Sequence, residues 1–175
     1  MKRVAFLRAV NVGKRTARSV QLTAAVQGLG YEDVWTHINS GNVVFESTGA
    51  RGALERRLEE AFEAALGFEA TTFVRSAVDL RRAVAAKPFV VGAGDTHFVT
   101  FLKDKPTAAQ SRALEALSND FDTLVVVDGD AHWLMHGRSV ETKVKTKDWD
   151  RIVGHHRSTS RNMTMLRTLV AKLDG

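Results

Sequence analysis

The order of its apolar segments constrains this chain more than any other feature. A short β-type run at Val4–Leu7 is followed by a helical pattern, a β-hairpin pattern over 34–45, an apolar helical stripe over 54–65 and a further β-type run at Thr71–Val74. The order β-α-β-β-α-β is typical of the ferredoxin-like, split βαβ fold. The first part of the sequence therefore predicts an α+β subdomain of this kind.

The same β-α-β-β order recurs in the second half of the chain. A β-type run at 97–102 precedes a helical pattern, and Asp128-Gly129 is a strong turn signal between two further runs. The basic segment 137–156 has little periodicity beyond a short helix near 147–153, and it yields no fourth strand. We therefore expect two packed ferredoxin-like (α/β-plait) subdomains, 1–90 and 91–175, the second incomplete and ending in a helix that begins near Ser160.

Several helix ends are also marked in the sequence. Ser19 is a predicted N-cap, and Gly67 is a predicted left-handed helix end. Capping-box spacing occurs at Ser76 with Asp79 and at Thr107 with Gln110. The acidic residues of the helix around 54–65 alternate with arginines, which is typical of a solvated face.

The charge is unevenly distributed along the chain. Residues 1–31 carry six Lys/Arg and no acid, residues 32–136 are net acidic, and residues 137–175 carry nine Lys/Arg and four acids. Basic ends favour anionic partners such as phosphates or nucleic acids, although a solubilising surface has the same composition. Only the folded chain can show whether the two ends form one surface.

Three segments carry a resemblance to a known family. They are Leu7-Arg8-Ala9-Val10-Asn11-Val12-Gly13, Leu29-Gly30-Tyr31-Glu32-Asp33-Val34 and Ser40-Gly41-Asn42-Val43-Val44-Phe45. The sequence resembles the bacterial family catalogued as domain of unknown function 1697, which typically has glycine where Ala9 stands. The resemblance implies a pair of ferredoxin-like subdomains and no known activity.

The first candidate binding segment follows the first predicted strand and contains Arg8, Asn11, Gly13 and Lys14. A glycine-containing loop lets backbone N–H groups approach an anion, and the cations add charge. Gly13-Lys14 is no P-loop, because Arg8 stands where that motif needs a glycine and Arg15 where it needs Ser or Thr. This excludes a nucleoside triphosphatase of the P-loop type. A purely loop-shaping role for Asn11 and Gly13 stays open.

Two further segments are candidates for the same anion. Ser40 and Asn42 lie in a predicted hairpin turn, where they present polar groups or merely satisfy the turn. Arg161 and Asn162 lie at the predicted start of the last helix, whose free N–H groups favour anions. The loop after the first strand and the hairpin can lie at opposite ends of a sheet, so their convergence is an open question.

Other chemistry finds little support in the sequence. There is no cysteine, which excludes disulfides and thiolate metal sites, and neither His155-His156 nor His132 with His136 has metal-ligand spacing. We predict no metal, no cofactor and no membrane segment, and we recognise no catalytic set. The lysines of 143–147 would share one side of an extended segment. Stacking of nucleic-acid bases would need exposed strand aromatics, and the available Phe6 and Phe45 lie in core-like runs.

These features favour a cytoplasmic protein that binds an anionic ligand, phosphorylated or nucleic acid, through basic loops. Two alternatives stay open: an enzyme that acts on a small metabolite at a site between the subdomains, and a protein-interaction module. The residues do not decide whether the protein is an enzyme, and they leave its oligomeric state unknown.

Overall fold

The computed structural model describes residues 1–38 and 41–175, which form two compact units, Met1–Leu80 and Arg81–Gly175. The sequence predicts a division near residue 90, whereas the two units divide between Leu80 and Arg81, within a helix that begins at Ala77. The elements of unit 1 are, in chain order, β1 (Lys2–Leu7), α1 (Ser19–Gly28), β2 (Glu32–Thr36), β3 (Asn42–Glu46), α2 (Arg51–Leu66) and β4 (Thr72–Ser76). The next helix, α3 (Ala77–Ala85), crosses the division.

Unit 2 repeats this order and adds a helix. Its elements are β5 (Thr96–Leu102), α4 (Ala108–Glu115), β6 (Asp122–Val127), β7 (Asp130–Met135), α5 (Thr146–Val153), β8 (Ser158–Asn162) and α6 (Met163–Asp174). The sheets have the orders β2-β3-β1-β4 and β6-β7-β5-β8, and every pairing is antiparallel. Each unit is therefore a ferredoxin-like βαββαβ plait, which the sequence predicts in full for unit 1 and without its last strand for unit 2.

The expected incompleteness of the second subdomain is wrong. β8 pairs with β5 in the register Thr100↔Ser160, so the predicted start of the last helix at Ser160 lies inside a strand. The segment 158–162 contains no apolar residue, and an alternating apolar pattern is the signal by which strands are recognised. Its stability comes from pairing with β5, where the Thr100 and Ser160 hydroxyl oxygens lie 2.7 Å apart.

The core of each unit lies between its sheet and its helices. In unit 1 the strand residues Ala5 and Phe45 pack with Leu58 and Phe62 of α2, and all four are fully buried. In unit 2 Leu114 of α4 packs against the sheet, and Trp133 stacks on Trp149 of α5 with ring centroids 5.2 Å apart. Amphipathic helices cover the sheets because this arrangement removes their apolar stripes from water.

The acidic face of α2 differs from the prediction. Glu55 is buried and its Oε1 accepts a hydrogen bond of 3.0 Å from the Val74 backbone N–H, while Glu59 accepts one of 3.0 Å from the Thr72 N–H. β4 is an edge strand, and its outward N–H groups would otherwise be open to pairing with another chain. Carboxylates of α2 therefore close this edge, a role that helical periodicity does not reveal.

Local predictions were confirmed at three helix ends, among them the capping box of Thr107 with Gln110, and wrong at a fourth. Ser76 and Asp79 form the predicted capping box, with Asp79 Oδ2 accepting from the Ser76 N–H at 2.9 Å, and Gly67 ends α2 in a left-handed conformation. Ser19, however, is the first residue of α1, and Arg18 occupies the N-cap position.

The three lysines of 143–147 do not share an extended segment. α5 begins at Thr146, so Lys147 lies on a helix, and the Lys143 ammonium pairs with the Asp120 carboxylate. Among the helices of the described ranges, none is long and apolar enough to cross a membrane.

Candidate functional site

The loop after β1, residues 8–18, lies beside the β2–β3 hairpin; we call it the basic loop. The Leu7 N–H donates a hydrogen bond of 2.8 Å to the Gly41 carbonyl, and the Arg8 N–H donates one of 2.9 Å to the Thr71 carbonyl. Because β1 runs antiparallel to β3 and β4, its end meets the beginning of each of them. The basic loop and the hairpin thus converge at one end of the sheet, which the sequence left open.

This convergence requires glycine at position 41. A Cβ atom there would lie 2.7 Å from Cγ2 of Val10 and 3.1 Å from Cβ of Leu7. Gly41 also has φ +72°, a conformation that side-chain-bearing residues rarely adopt. The close approach holds the hairpin against the first residues of the basic loop.

The backbone of the basic loop is unusual in its φ angles. Ala9, Asn11 and Gly13 have φ values of 55°, 59° and 60°, so that every second residue is left-handed. This explains why the family that the sequence resembles has glycine where Ala9 stands. The Asn11 Oδ1 accepts a hydrogen bond of 2.7 Å from the Ala17 N–H and closes the loop.

The predicted residues of unit 1 divide into exposed and structural ones. Gly13 and Lys14 are exposed, and Arg8 is half-buried. Asn42 is 1% exposed, and its Nδ2 donates 2.9 Å to the His37 carbonyl, so that it fixes the hairpin and cannot reach a ligand in solvent. Ser40 lies outside the described residues.

Arg161 and Asn162, the predicted residues of unit 2, do not act as neighbours. Arg161 lies in β8, where its Nη1 donates 2.8 Å to the Thr159 Oγ1 and 2.9 Å to the Ser160 carbonyl. Burial lowers the pKa of its guanidinium to about 10, which leaves the group charged at neutral pH. Asn162 is the N-cap of α6, and its Oδ1 accepts 2.8 Å from the Thr164 N–H. Successive strand residues point to opposite faces, so the side chains of Arg161 and Asn162 leave the strand in different directions.

A cleft of about 140 Å³ lies at the start of α6; we call it the α6 cleft. Its polar lining residues are Asp95, Thr96, His97, Asn162, Thr164 and Arg167. Sequence reasoning found only Asn162 of this set. The others come from the beginning of β5 and from one turn into α6, and antiparallel pairing of β5 with β8 brings these segments together.

His97 connects the cleft to a buried imidazole pair. Its Nε2 lies 3.0 Å from the Nδ1 of His132, and the two residues are 8% and 1% exposed. Burial, with smaller contributions from His132 and Arg167, lowers the pKa of His97 to about 4. Burial also lowers the pKa of His132. Both rings are therefore neutral at pH 7, and a single proton lies between them.

Asp95 also lines the cleft, and hydrogen bonds fix its carboxylate. Its Oδ1 lies 3.0 Å from the Nδ1 of His136, and its Oδ2 accepts 2.8 Å from the Gly92 N–H. These hydrogen bonds, that of His136 first, keep the pKa of Asp95 below its usual range. The carboxylate is thus ionised and already stabilised by its neighbours.

Two other kinds of site find no support in the described ranges. Phe6 and Phe45 are fully buried, so they offer no platform for stacking bases. No group of three or more His, Asp or Glu side chains there could hold a metal ion.

Comparisons with known proteins give a family and a fold. The chain matches conserved bacterial protein SP0830 from Streptococcus pneumoniae, a solved structure, with a TM-score of 0.72 and 20% identity over 98% of each chain. No curated protein matches it. The family described as "Protein of unknown function (DUF1697)" matches residues 1–132, which is three quarters of the chain, and the chain therefore belongs to that family.

Proposed function

We propose that the protein binds a phosphate-bearing ligand through its basic loop. The observation that carries the proposal is a set of cations without carboxylate partners: Lys14, Arg15 and Arg18 form no ion pair with any residue of the described ranges. The whole of residues 1–31 contains six Lys/Arg and no acid. Cations held this close together repel one another, and a bound polyanion would relieve that repulsion.

Two arginines elsewhere on the surface are paired with carboxylates. Arg81 pairs with Asp174 at 2.6 Å, and Arg157 pairs with Asp104 at 2.6 Å. Paired cations lose much of their attraction for an external anion, because the neighbouring carboxylate cancels their field. No carboxylate of the described ranges cancels the field of Lys14, Arg15 or Arg18 in this way, and these three cations lie within one short loop.

The backbone of the loop supports the same ligand. Left-handed residues in a loop help successive N–H groups to point to one side, where they can form a concave anion site. Ala9, Asn11 and Gly13 supply the left-handed positions, and Gly13 has open space around its Cα. Phosphate suits this arrangement, because its several oxygens accept from N–H groups and cations at once.

The ligand is recognised through phosphate rather than through bases. Phe6 and Phe45 are unavailable for stacking, so a nucleic acid would bind with little sequence preference. A small phosphorylated molecule presents the same group. The lack of cysteine agrees with a cytoplasmic role for either ligand, and that location belongs to the same proposal.

A salt titration with a fluorescent single-stranded DNA oligonucleotide tests the nucleic-acid form of the proposal. Three phosphate contacts predict that affinity falls on the order of tenfold between about 50 and about 200 mM salt. The variant with Lys14→Gln, Arg15→Gln and Arg18→Gln should lose both the affinity and most of the salt dependence. The control with Arg56→Gln, Lys105→Gln and Lys172→Gln has the same net charge and should bind nearly as the natural chain does.

A second titration, with a nucleoside monophosphate, tests the small-ligand form. Amide NMR shifts of Gly13 should move with the monophosphate and stay fixed with the nucleoside alone. Binding of the monophosphate but not of the oligonucleotide would identify a small phosphorylated ligand. The proposal is wrong if neither probe binds, or if the two triple variants lose affinity equally.

A further inference from the structure

We propose that the α6 cleft of unit 2 is a second binding site, which takes a small molecule through a phosphate or carboxylate group. This site is independent of the basic loop and lies in a different unit. Its volume of about 140 Å³ admits a molecule of a few heavy atoms and excludes a folded nucleic-acid strand.

The first argument is a convergence of hydrogen-bond donors. Arg167 lines the cleft and forms no hydrogen bond or ion pair with any residue of the described ranges. Asn162 and Thr164 also line it, and neither the Asn162 Nδ2 nor the Thr164 hydroxyl has an acceptor in the described ranges. A guanidinium fork beside two neutral donors matches the oxygens of one phosphate or carboxylate.

The second argument is the charge at the start of α6. Its first turn contains no acidic side chain, so nothing in the helix neutralises the partial positive charge of its N–H groups. Asp95 is the one carboxylate among the residues that line the cleft, and hydrogen bonds from His136 and Gly92 already occupy its oxygens. An anion close to Arg167 and Asn162 thus meets a favourable field.

The third argument is His97, which lines the cleft although only 8% of its surface is exposed. Its Nε2 is engaged with His132, whereas its Nδ1 has no hydrogen-bond partner in the described part of the chain. A neutral imidazole pair has two forms. If the His132 Nδ1 carries the shared proton, the His97 Nδ1 carries a proton as well and can donate it to a bound anion.

This arrangement makes His97 a reporter of occupancy. A carboxylate or a phosphate-ester dianion accepts hydrogen bonds and does not donate them, so it favours the form in which the His97 Nδ1 carries a proton. The proton between the rings then belongs to His132. Occupation of the cleft therefore shifts a tautomeric equilibrium within the pair without changing its net charge.

The experiment is an NMR titration of the full chain with inorganic phosphate and, separately, with acetate, at constant ionic strength in chloride. We expect shifts at the Thr164 amide together with an imidazole ¹⁵N change that reports a protonated Nδ1 at His97. Phosphate binding alone identifies a phosphate ester as the ligand class, and acetate binding alone identifies a carboxylic acid. The absence of both responses would overturn the proposal.

Two variants localise the site and one controls for surface charge. Arg167→Gln removes the cation, and Asn162→Asp keeps the capping oxygen while adding a negative charge, so α6 stays folded. Each should weaken anion binding at least about tenfold, because a charge-assisted contact is lost or opposed. Lys172→Gln on the same helix should change it less than about twofold. Equal affinities in Arg167→Gln and Lys172→Gln would contradict the assignment.

Discussion

The two units share one topology but differ at the helix that follows the last strand: the first turn of this helix contains a carboxylate in one unit and none in the other. In unit 1 the helix that follows the last strand is α3, and its first turn contains Asp79, which accepts from the Ser76 N–H at 2.9 Å and from the Ser76 hydroxyl at 2.7 Å. In unit 2 the corresponding helix is α6, which has Met165 three residues after its cap, where α3 has Asp79. The chain's own carboxylate occupies one helix start, and a cleft lies at the other.

The loops after the first strands of the two units also differ, and here unit 1 has the longer and more basic loop. In unit 1 the eleven residues of 8–18 separate β1 from α1 and contain Lys14, Arg15 and Arg18, which form no ion pair within the described ranges. In unit 2 five residues, 103–107, separate β5 from α4. Each unit therefore presents its positive charge at a different connection of the same plait. A shared fold fixes where the connections are, and the residues placed in them decide which one can take a ligand.

The largest expected effect tests whether unit 1 depends on the approach of its hairpin to the basic loop. Gly41→Ala combines a left-handed φ with a contact of 2.7 Å to Val10, so we expect it to lower the free energy of unfolding by about 3–4 kcal/mol. Gly67→Ala has a similar φ but open space, and should cost about 1 kcal/mol. Urea denaturation of both variants measures the difference. Equal losses of unfolding free energy would mean that Val10 moves away from the added Cβ without a loss of stability.

The next effect tests the buried imidazole pair, which belongs to unit 2. The folded chain holds the pKa of His97 at about 4, against 6.5 for an unperturbed histidine. As the pH falls from 6.5 to 4, His97 becomes protonated in the unfolded chain but stays neutral in the folded chain. The free energy of unfolding therefore decreases by about 3 kcal/mol over this interval. Below pH 4 both states are protonated and the decrease levels off. Unfolding free energies measured across this range should show the slope.

A variant assigns that slope to its residue. His97→Gln cannot titrate, so its stability should depend less on pH between 4 and 6.5 than that of the natural chain. His155→Gln, which changes an exposed histidine, should keep the full dependence. Parallel profiles for the natural chain and His97→Gln would show that His97 is not the titrating group.

The smallest effect tests the contrast between the two helix starts directly. Asp79→Ala removes the acceptor of the Ser76 N–H and should lower the free energy of unfolding by about 2 kcal/mol. Met165→Asp places a carboxylate at the same distance from the cap of α6 and should raise it by less than about 1 kcal/mol. If Asp79→Ala proves neutral in thermal and urea unfolding, the carboxylate does not satisfy the start of α3 and the contrast fails.

The sequence predicts most elements of the fold because their signals are local. The apolar stripe of α2, the hairpin turn at Asp128-Gly129 and the capping box of Thr107 with Gln110 each depend on residues a few positions apart. β8 was missed because its stability depends on a partner strand more than fifty residues away, at 96–102. The buried role of Glu55 was missed for the same reason, since its acceptor function is defined by β4.

The candidate sites divide along the same line. The sequence identifies the basic loop, because cations, glycine and missing acids are visible in a short segment, and it identifies Asn162 as a residue of the last helix start. It does not identify His97, Asp95 or Arg167, whose residue types carry no motif. The sequence predicts Asn42 and Arg161 as ligand-binding residues because of their polar side chains. In the structure these side chains donate hydrogen bonds to His37 and Thr159.

By itself, then, the sequence determined the order of strands and helices in unit 1, the order of the elements of unit 2 as far as α5, and the uneven distribution of charge. The tertiary structure alone decided which side chains meet. The reason is that periodicity and capping act over a few residues, whereas the α6 cleft forms only when antiparallel pairing sets the beginning of β5 beside the end of β8. His97 and Arg167 are seventy positions apart in the chain, and the sheet makes them neighbours of one cavity.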